Sequence, residues 1–241
     1  MQIVDSKFTD FDKFVEISNE EGILALINKP KTWTSFDVVN KLRYASKVKK
    51  VGHAGTLDPL AEGLVLIAFG KATKQINDLI LLKKRYIAEF KLGAITKSYD
   101  SEYEEEEIKS INNIHIQNVN ETINNNFIGK INQIPPVFSA KKVNGKRAYK
   151  LARNEKEIEL QAVEVEIFKY ELLNFELPYL SFDIECSKGT YIRALARDLG
   201  EKLECGSYMS KLNRVSIGEF SLDFALSIDE FINKLNYDKS I

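Results

Sequence analysis

The sequence predicts an α+β fold, a mixed and mainly antiparallel sheet flanked by helices, and three observations carry that prediction. Two long alternating segments, Ala162 to Leu173 and Tyr179 to Cys186, meet near Pro178 as the arms of a hairpin. A third alternation, Tyr86, Ala88, Phe90 and Leu92, has the period of two of a half-buried strand. Helical patterns stand apart from these strands instead of linking each pair, which argues against a regular βαβ winding.

In chain order, Ile23 to Asn28 is a short apolar run halted at Lys29-Pro30, as a buried strand is by a residue that cannot donate to the ladder. Ser35 then caps a helix in which Phe36, Val39 and Leu42 form an inward stripe while Lys41, Arg43 and Lys47 point outward. Leu64 to Phe69 reads as a second buried strand, Ala72 to Leu82 as a helix, and Arg85 to Leu92 as the alternating strand. From Asp100 to Asn126 the chain is polar and Asn-rich, with a helix over Val119 to Phe127. Asn144-Gly145, between Val143 and Lys146, signals a tight hairpin. Beyond the long hairpin come a helix from Tyr191 to Leu203, a strand from Met209 to Ile217 and a last helix from Ile228 to Leu235.

The 241 residues, 44% hydrophobic, suffice for a large core, and the expectation is a single domain over 1–241. Its 34 basic and 35 acidic residues give no overall pull on a polyanion, so distribution matters more. Lys41, Arg43, Lys47, Lys49 and Lys50 fall in one acid-free tract, and Lys141, Lys142, Lys146, Arg147, Lys150 and Arg153 make a second whose centre is the Asn144-Gly145 hairpin. Either tract alone is better explained by a solvated face; the two together shift the balance towards phosphate contacts. Cys186 and Cys205 lie far apart and read as buried, reduced thiols, and with only His53 and His115 there is no zinc spacing. No apolar stretch approaches the ~18 residues of a membrane span, so the expectation is a cytoplasmic protein, not a membrane one.

The unusual stretch is Gly52-His53-Ala54-Gly55-Thr56-Leu57-Asp58-Pro59-Leu60-Ala61-Glu62-Gly63, a shaped loop between two apolar strands. Its glycines permit close approach or positive φ, and Pro59 biases Asp58 to an extended conformation that projects the side chain. An ordinary Asp-Pro turn explains the same residues, and local chemistry does not choose. Gly70-Lys71-Ala72-Thr73 lacks the spacing of a phosphate-binding loop, so no nucleotide cofactor is expected. Asp100-Ser101-Glu102-Tyr103-Glu104 lacks the glycine of a calcium loop, so no metal is expected either, and no Ser/His/Asp set is legible.

The loop Gly52 to Gly63, the preceding Lys29-Pro30, the strand start Lys84-Arg85-Tyr86, the segment Ile134-Pro135-Pro136-Val137-Phe138-Ser139-Ala140, and Cys186-Ser187-Lys188-Gly189-Thr190-Tyr191-Ile192-Arg193 follow one another as in the TruB-type tRNA pseudouridine synthases. The resemblance runs from about Gly22 to about Phe231. It implies the pseudouridine synthase fold and the isomerisation of uridine to pseudouridine in the T loop of transfer RNA, by base flipping and without a cofactor. It implies that Asp58 is the nucleophile, Tyr86 the active-site tyrosine, and Arg193 the cation favouring the ionised carboxylate. His53 would support the space left by the flipped base, and Lys29 and Tyr191 would line the pocket. Lys141, Lys146 and Arg147 would belong to a basic, RNA-gripping insertion at about 129–154. A monomer binding the T arm, with no separate C-terminal RNA-binding domain, is expected.

This chain departs from the family pattern at Thr96-Lys97-Ser98-Tyr99-Asp100, where an acid usually follows the Thr, and at Asn213-Arg214, where a pair of arginines is common. The rival readings are a non-catalytic RNA-binding or RNA-folding protein on the same scaffold and a base-excising glycosylase.

Overall fold

The computed structural model describes residues 1–138, 142–143, 146–147 and 160–237. The chain begins with β1 (Gln2–Val4), α1 (Phe14–Glu20), β2 (Ile23–Lys29), α2 (Ser35–Ser46), β3 (Val51–His53) and β4 (Glu62–Phe69). There follow α3 (Ile76–Leu81), β5 (Lys84–Leu92), α4 (Ile116–Asn126), β6 (Gly129–Gln133), β7 (Lys142–Val143) and β8 (Lys146–Arg147). It ends with β9 (Val163–Glu176), β10 (Tyr179–Cys186), α5 (Ile192–Lys202), β11 (Ser207–Ile217), β12 (Phe220–Ser221), β13 (Leu226–Ser227) and α6 (Ile228–Tyr237). This is the mixed, helix-flanked sheet architecture that the alternation predicts. Two compact units result, Met1–Tyr86 with Asn213–Ile241, and Ile87–Leu212.

In the first unit β2 and β4 pair antiparallel, from Ile23 opposite Phe69 to Lys29 opposite Gly63. Both are buried on two faces, which is why the sequence shows continuous apolar runs there instead of alternation. One face packs Leu24, Leu26, Leu64, Leu66 and Ala68 against Ala54, Ala72, Leu79 and Ile217. On the other, Phe69 meets Phe14 edge-on at 5.0 Å and stacks with Phe231 at 5.7 Å. The outer edge of β2 takes β1 and β13 in parallel, and the outer edge of β4 is divided. β3 pairs with Ile67 to Phe69 at one end, and Asn213 and Arg214 of β11 pair with Glu62 and Gly63 at the other.

Three local expectations need correction. Thr34, not Ser35, caps α2, through a capping box in which Thr34 and Asp37 each satisfy the other's backbone N–H. The buried stripe is Ser35, Val38, Val39, Leu42 and Ser46, so Phe36, one residue round the helix, stands 61% exposed. The helix expected from Ala72 is a 3₁₀ turn over Gly70–Gln75, with α3 only beyond it.

In the second unit β9 and β10 form the long hairpin, and β6 pairs with the start of β9, Gly129 opposite Ile167. Their core is aromatic, with Phe182 4.9 Å from Phe90 and Tyr170 5.7 Å from Phe127. β7 and β8 pair antiparallel, Val143 opposite Lys146, while Asn144-Gly145, on which the expected tight hairpin falls, lies outside the described residues. Among the described residues no helix is long and apolar enough to cross a membrane.

Candidate active site

The loop from Ala54 to Ala61 leaves the sheet where the neighbour of β4 changes from β3 to β11, so it lies over the split edge. Three buried side chains hold its backbone. Ser35 Oγ accepts a hydrogen bond from Leu57 N at 2.8 Å and donates to Leu57 O at 3.2 Å. Arg214, 1% exposed, donates from Nε to Leu64 O at 2.7 Å, and its two other nitrogens reach Thr56 O and Gly55 O at 3.4 Å. Lys29, fully buried, donates to Pro30 O at 2.9 Å, Trp33 O at 2.7 Å and Pro59 O at 3.4 Å. Gly63, at φ +105°, lets β11 close in: a Cβ there would stand 2.2 Å from Asn213 Oδ1.

Leu57 on one side of Asp58 is buried, Pro59 on the other is tied by Thr32 N at 2.7 Å, and the Asp58 side chain is left half-buried between them. Burial lowers the Lys29 pKa to about 8, against the opposing pull of the Asp58 charge, and the Arg214 charge lowers it further. The two cations thus place positive charge beneath the aspartate's loop. His53, at the end of β3, is lowered from its ordinary value by burial, partly opposed by a hydrogen bond to the Gly55 backbone, so it is neutral at pH 7. Tyr86 is buried at the inward position of β5.

The second unit holds the other expected residues. Arg193, 5% exposed in the first turn of α5, donates from Nη1 to Ser98 O at 3.1 Å and from Nη2 to Phe138 O at 2.9 Å, with Asp100 Oδ2 3.4 Å from Nη1. The departure at residues 96–100 therefore supplies a carboxylate to this guanidinium. Tyr191 precedes α5, its backbone gripped by Gln133: Tyr191 N donates to Oε1 at 2.8 Å and Tyr191 O accepts from Nε2 at 3.1 Å. Lys141 lies outside the described residues, and Lys146 and Arg147 are described as backbone of β8. Among the described residues no group of His, Cys, Asp and Glu is placed to hold a metal ion.

The N-terminal-domain model of the TruB family pseudouridylate synthases matches residues 43–192. A protein of Parabacteroides distasonis named tRNA pseudouridine synthase B is 49% identical, over 88% of this chain and 94% of its own length. The chain belongs to the TruB family. A second relative of that name, from Chlorobaculum tepidum, is 43% identical over 94% of this chain and 96% of its own. Among solved structures, a chain of a Cbf5-Nop10-Gar1 complex superposes with a TM-score of 0.71 at 23% identity, and the match covers 91% of this chain and 56% of that one. That likeness is one of fold.

Within this TruB-family chain, sequence reasoning missed two supports of the loop. Arg214 acts on carbonyls about 150 positions away in sequence, which no local pattern encodes. Ser35 had a signal, a hydroxyl at a helix start, but the hydroxyl bonds Leu57 and not its own helix.

Proposed function

We propose that the chain converts uridine to pseudouridine in the T arm of transfer RNA, acting as a cytoplasmic monomer without cofactor or metal, with Asp58 as nucleophile. The observation that carries this reading is the Asp58 loop itself, whose backbone is tied by Ser35, Lys29 and Arg214 while the carboxyl group between the ties stays half-buried. An Asp-Pro turn serving only to reverse the chain has no need of two buried cations beneath it.

In the reaction the C1′–N1 bond breaks, a C1′–C5 bond forms, the C5 hydrogen leaves as a proton and N1 gains one, so mass is unchanged. Asp58 engages the flipped base at C6 or the sugar at C1′. Tyr86 packs on the base and serves proton transfer, and neutral His53 fills the gap in the stack. The family resemblance assigns Arg193 to the ionised state of the nucleophile, Lys29 and Tyr191 to the pocket, and Lys141, Lys146 and Arg147 to the RNA backbone.

The experiment uses a T-arm transcript tritiated at C5 of uridine. Wild type is expected to release label to water, while Asp58→Asn binds the RNA and releases none. Release by the Asn variant removes Asp58 from the mechanism, free uracil among the products replaces isomerisation with base excision, and tight binding without release by wild type leaves an RNA-binding protein.

A further inference from the structure

We propose that the exposed side of α2, with the groove it forms against α6, holds a second stretch of the RNA whose uridine reacts. Arg43 and Lys47 take backbone phosphates there, and Tyr44 takes an unpaired base. This rests on the RNA substrate proposed above.

Charge comes first. The one acid of α2, Asp37, is consumed by the cap with Thr34. Beyond it Lys41, Arg43 and Lys47 are all exposed, and among the described residues none forms an ion pair; the Arg43 guanidinium makes a hydrogen bond only to Asn40 Oδ1, at 3.0 Å. A solvated helix face ordinarily interleaves both signs, whereas this one offers cations alone to a polyanion.

The second observation is aromatic. Tyr44 is 88% exposed, more than any other large hydrophobic side chain among the described residues. α2 buries its opposite stripe without help from this ring, so packing does not account for it. An open ring beside unpaired cations is the pairing by which single-stranded nucleic acid is held, base on aromatic and phosphate on cation.

The third is shape. Lys41, Arg43, Tyr44 and Lys47 line a groove of about 740 Å³ with Ile232 and Asn236 of α6 opposite, and among the described residues no carboxylate lines it. That volume lies within the ~300–1,000 Å³ of sites that enclose small ligands, which is enough for a nucleotide.

Position ties the groove to the reaction. Ser35, at the start of α2, bonds Leu57 beside Asp58. At ~1.5 Å rise per residue, Arg43 and Lys47 lie about 12 and 18 Å further along the helix. The groove therefore takes nucleotides several positions from the reacting one. Since the net charge of the chain is −1, such a local cluster supplies attraction that the whole molecule does not.

The test measures RNA affinity across salt concentrations in the Asp58→Asn background, so that it needs no turnover and stays separate from the reading of the activity. Arg43→Glu with Lys47→Asn is expected to raise Kd about tenfold or more near 0.1 M salt and to shrink the slope of log K against log salt by about 1.5, the share of two phosphates. Tyr44→Ala is expected to raise Kd about fivefold or more and leave the slope unchanged. A loss confined to full-length transfer RNA places the contact outside the T arm, and an equal loss on an isolated T-arm stem-loop places it inside; both uphold an RNA occupant. Wild-type Kd and slope on both RNAs, from variants with wild-type thermal melting, overturn the proposal and leave a protein partner for this face. Should the double variant fold poorly, Arg43→Ala alone carries the same test, with a slope change of about 0.8.

Discussion

At Gly63 a single hydrogen in place of a methyl group allows two strands to meet where the Asp58 loop returns to the sheet. Gly63→Ala combines a positive φ with a Cβ 2.2 Å from Asn213 Oδ1 and 2.5 Å from Arg214 O. Backbone oxygen cannot move aside as a flexible side chain does, so the variant is expected to lose about 2–4 kcal/mol in urea unfolding and to displace Arg214 from the loop carbonyls. Lys29 makes a prediction of the opposite kind, one visible in pH. Its pKa falls from 10.5 in the unfolded chain to about 8 in the folded one, so between those values the unfolded chain binds more protons and stability rises with pH. The rise is at most about 3 kcal/mol, complete near pH 10.5 and absent below pH 8, where both states are charged. Lys29→Met is expected to flatten that slope relative to wild type when unfolding is followed at pH 7.5, 9 and 10. A parallel slope in the two proteins would mean that the ammonium is better solvated than its carbonyl cage implies.

Among the elements, α2 both packs the first unit and positions the Asp58 loop, and two adjacent hydroxyls separate those tasks. Thr34→Ala removes the capping box and is expected to lower stability by about 1 kcal/mol with little change in kcat. Ser35→Ala leaves the Leu57 N–H unsatisfied, costs about 1–3 kcal/mol, and is expected to cut kcat tenfold or more because Asp58 is the next residue. Equal kcat losses from both substitutions would show that the helix acts on the loop only through its overall stability. These neighbours also mark what the sequence made legible and what it did not. A hydroxyl before an apolar stripe announced a helix start, yet whether Thr34 or Ser35 caps depends on Leu57, which lies 22 positions on. The spacing of Phe36, Val39 and Leu42 is helical, but the stripe that includes Ser35 and Ser46 buries more completely and turns Phe36 outward. β2, β4, β5 and the β9–β10 hairpin were readable because burial on one face or two writes a period directly into the residues. β1 and α1 were not, since their mixed, acidic segment has no period and is held by Phe11 and Phe14 against Phe69 and Phe231. Of the candidate site, the shaped loop around Asp58 was legible through its glycines and proline, while the choice of Asp58 over an ordinary Asp-Pro turn came from the family resemblance; the grip of Arg214 on that loop was not legible, because parallel pairing of β11 with β4 is a long-range event.

On the scale of the molecule, the first unit is discontinuous: its core is made by residues up to Tyr86 and completed by residues from Asn213 onward. The returning segment brings Ile217, Leu226, Phe231 and Leu235, all buried, together with Arg214. Removing one large buried apolar side chain costs about 2–5 kcal/mol, so removing four costs about 8–20 kcal/mol, as much as the ~5–15 kcal/mol by which a whole domain is stable. A fragment ending at Leu212 is therefore expected to lose the folded first unit altogether, including the Asp58 loop, and not merely to be destabilised. The same cut leaves Phe90, Tyr170 and Phe182 of the second unit with their mutual contacts. Such a fragment should retain part of the aromatic near-ultraviolet dichroism, show no protected amides in Ile23–Lys29 or Glu62–Phe69 on hydrogen exchange, and release no tritium from the T-arm transcript. Protection of those two strands in the fragment would mean that residues 1–86 carry a sufficient core of their own, and that the returning segment serves the loop through Arg214 alone.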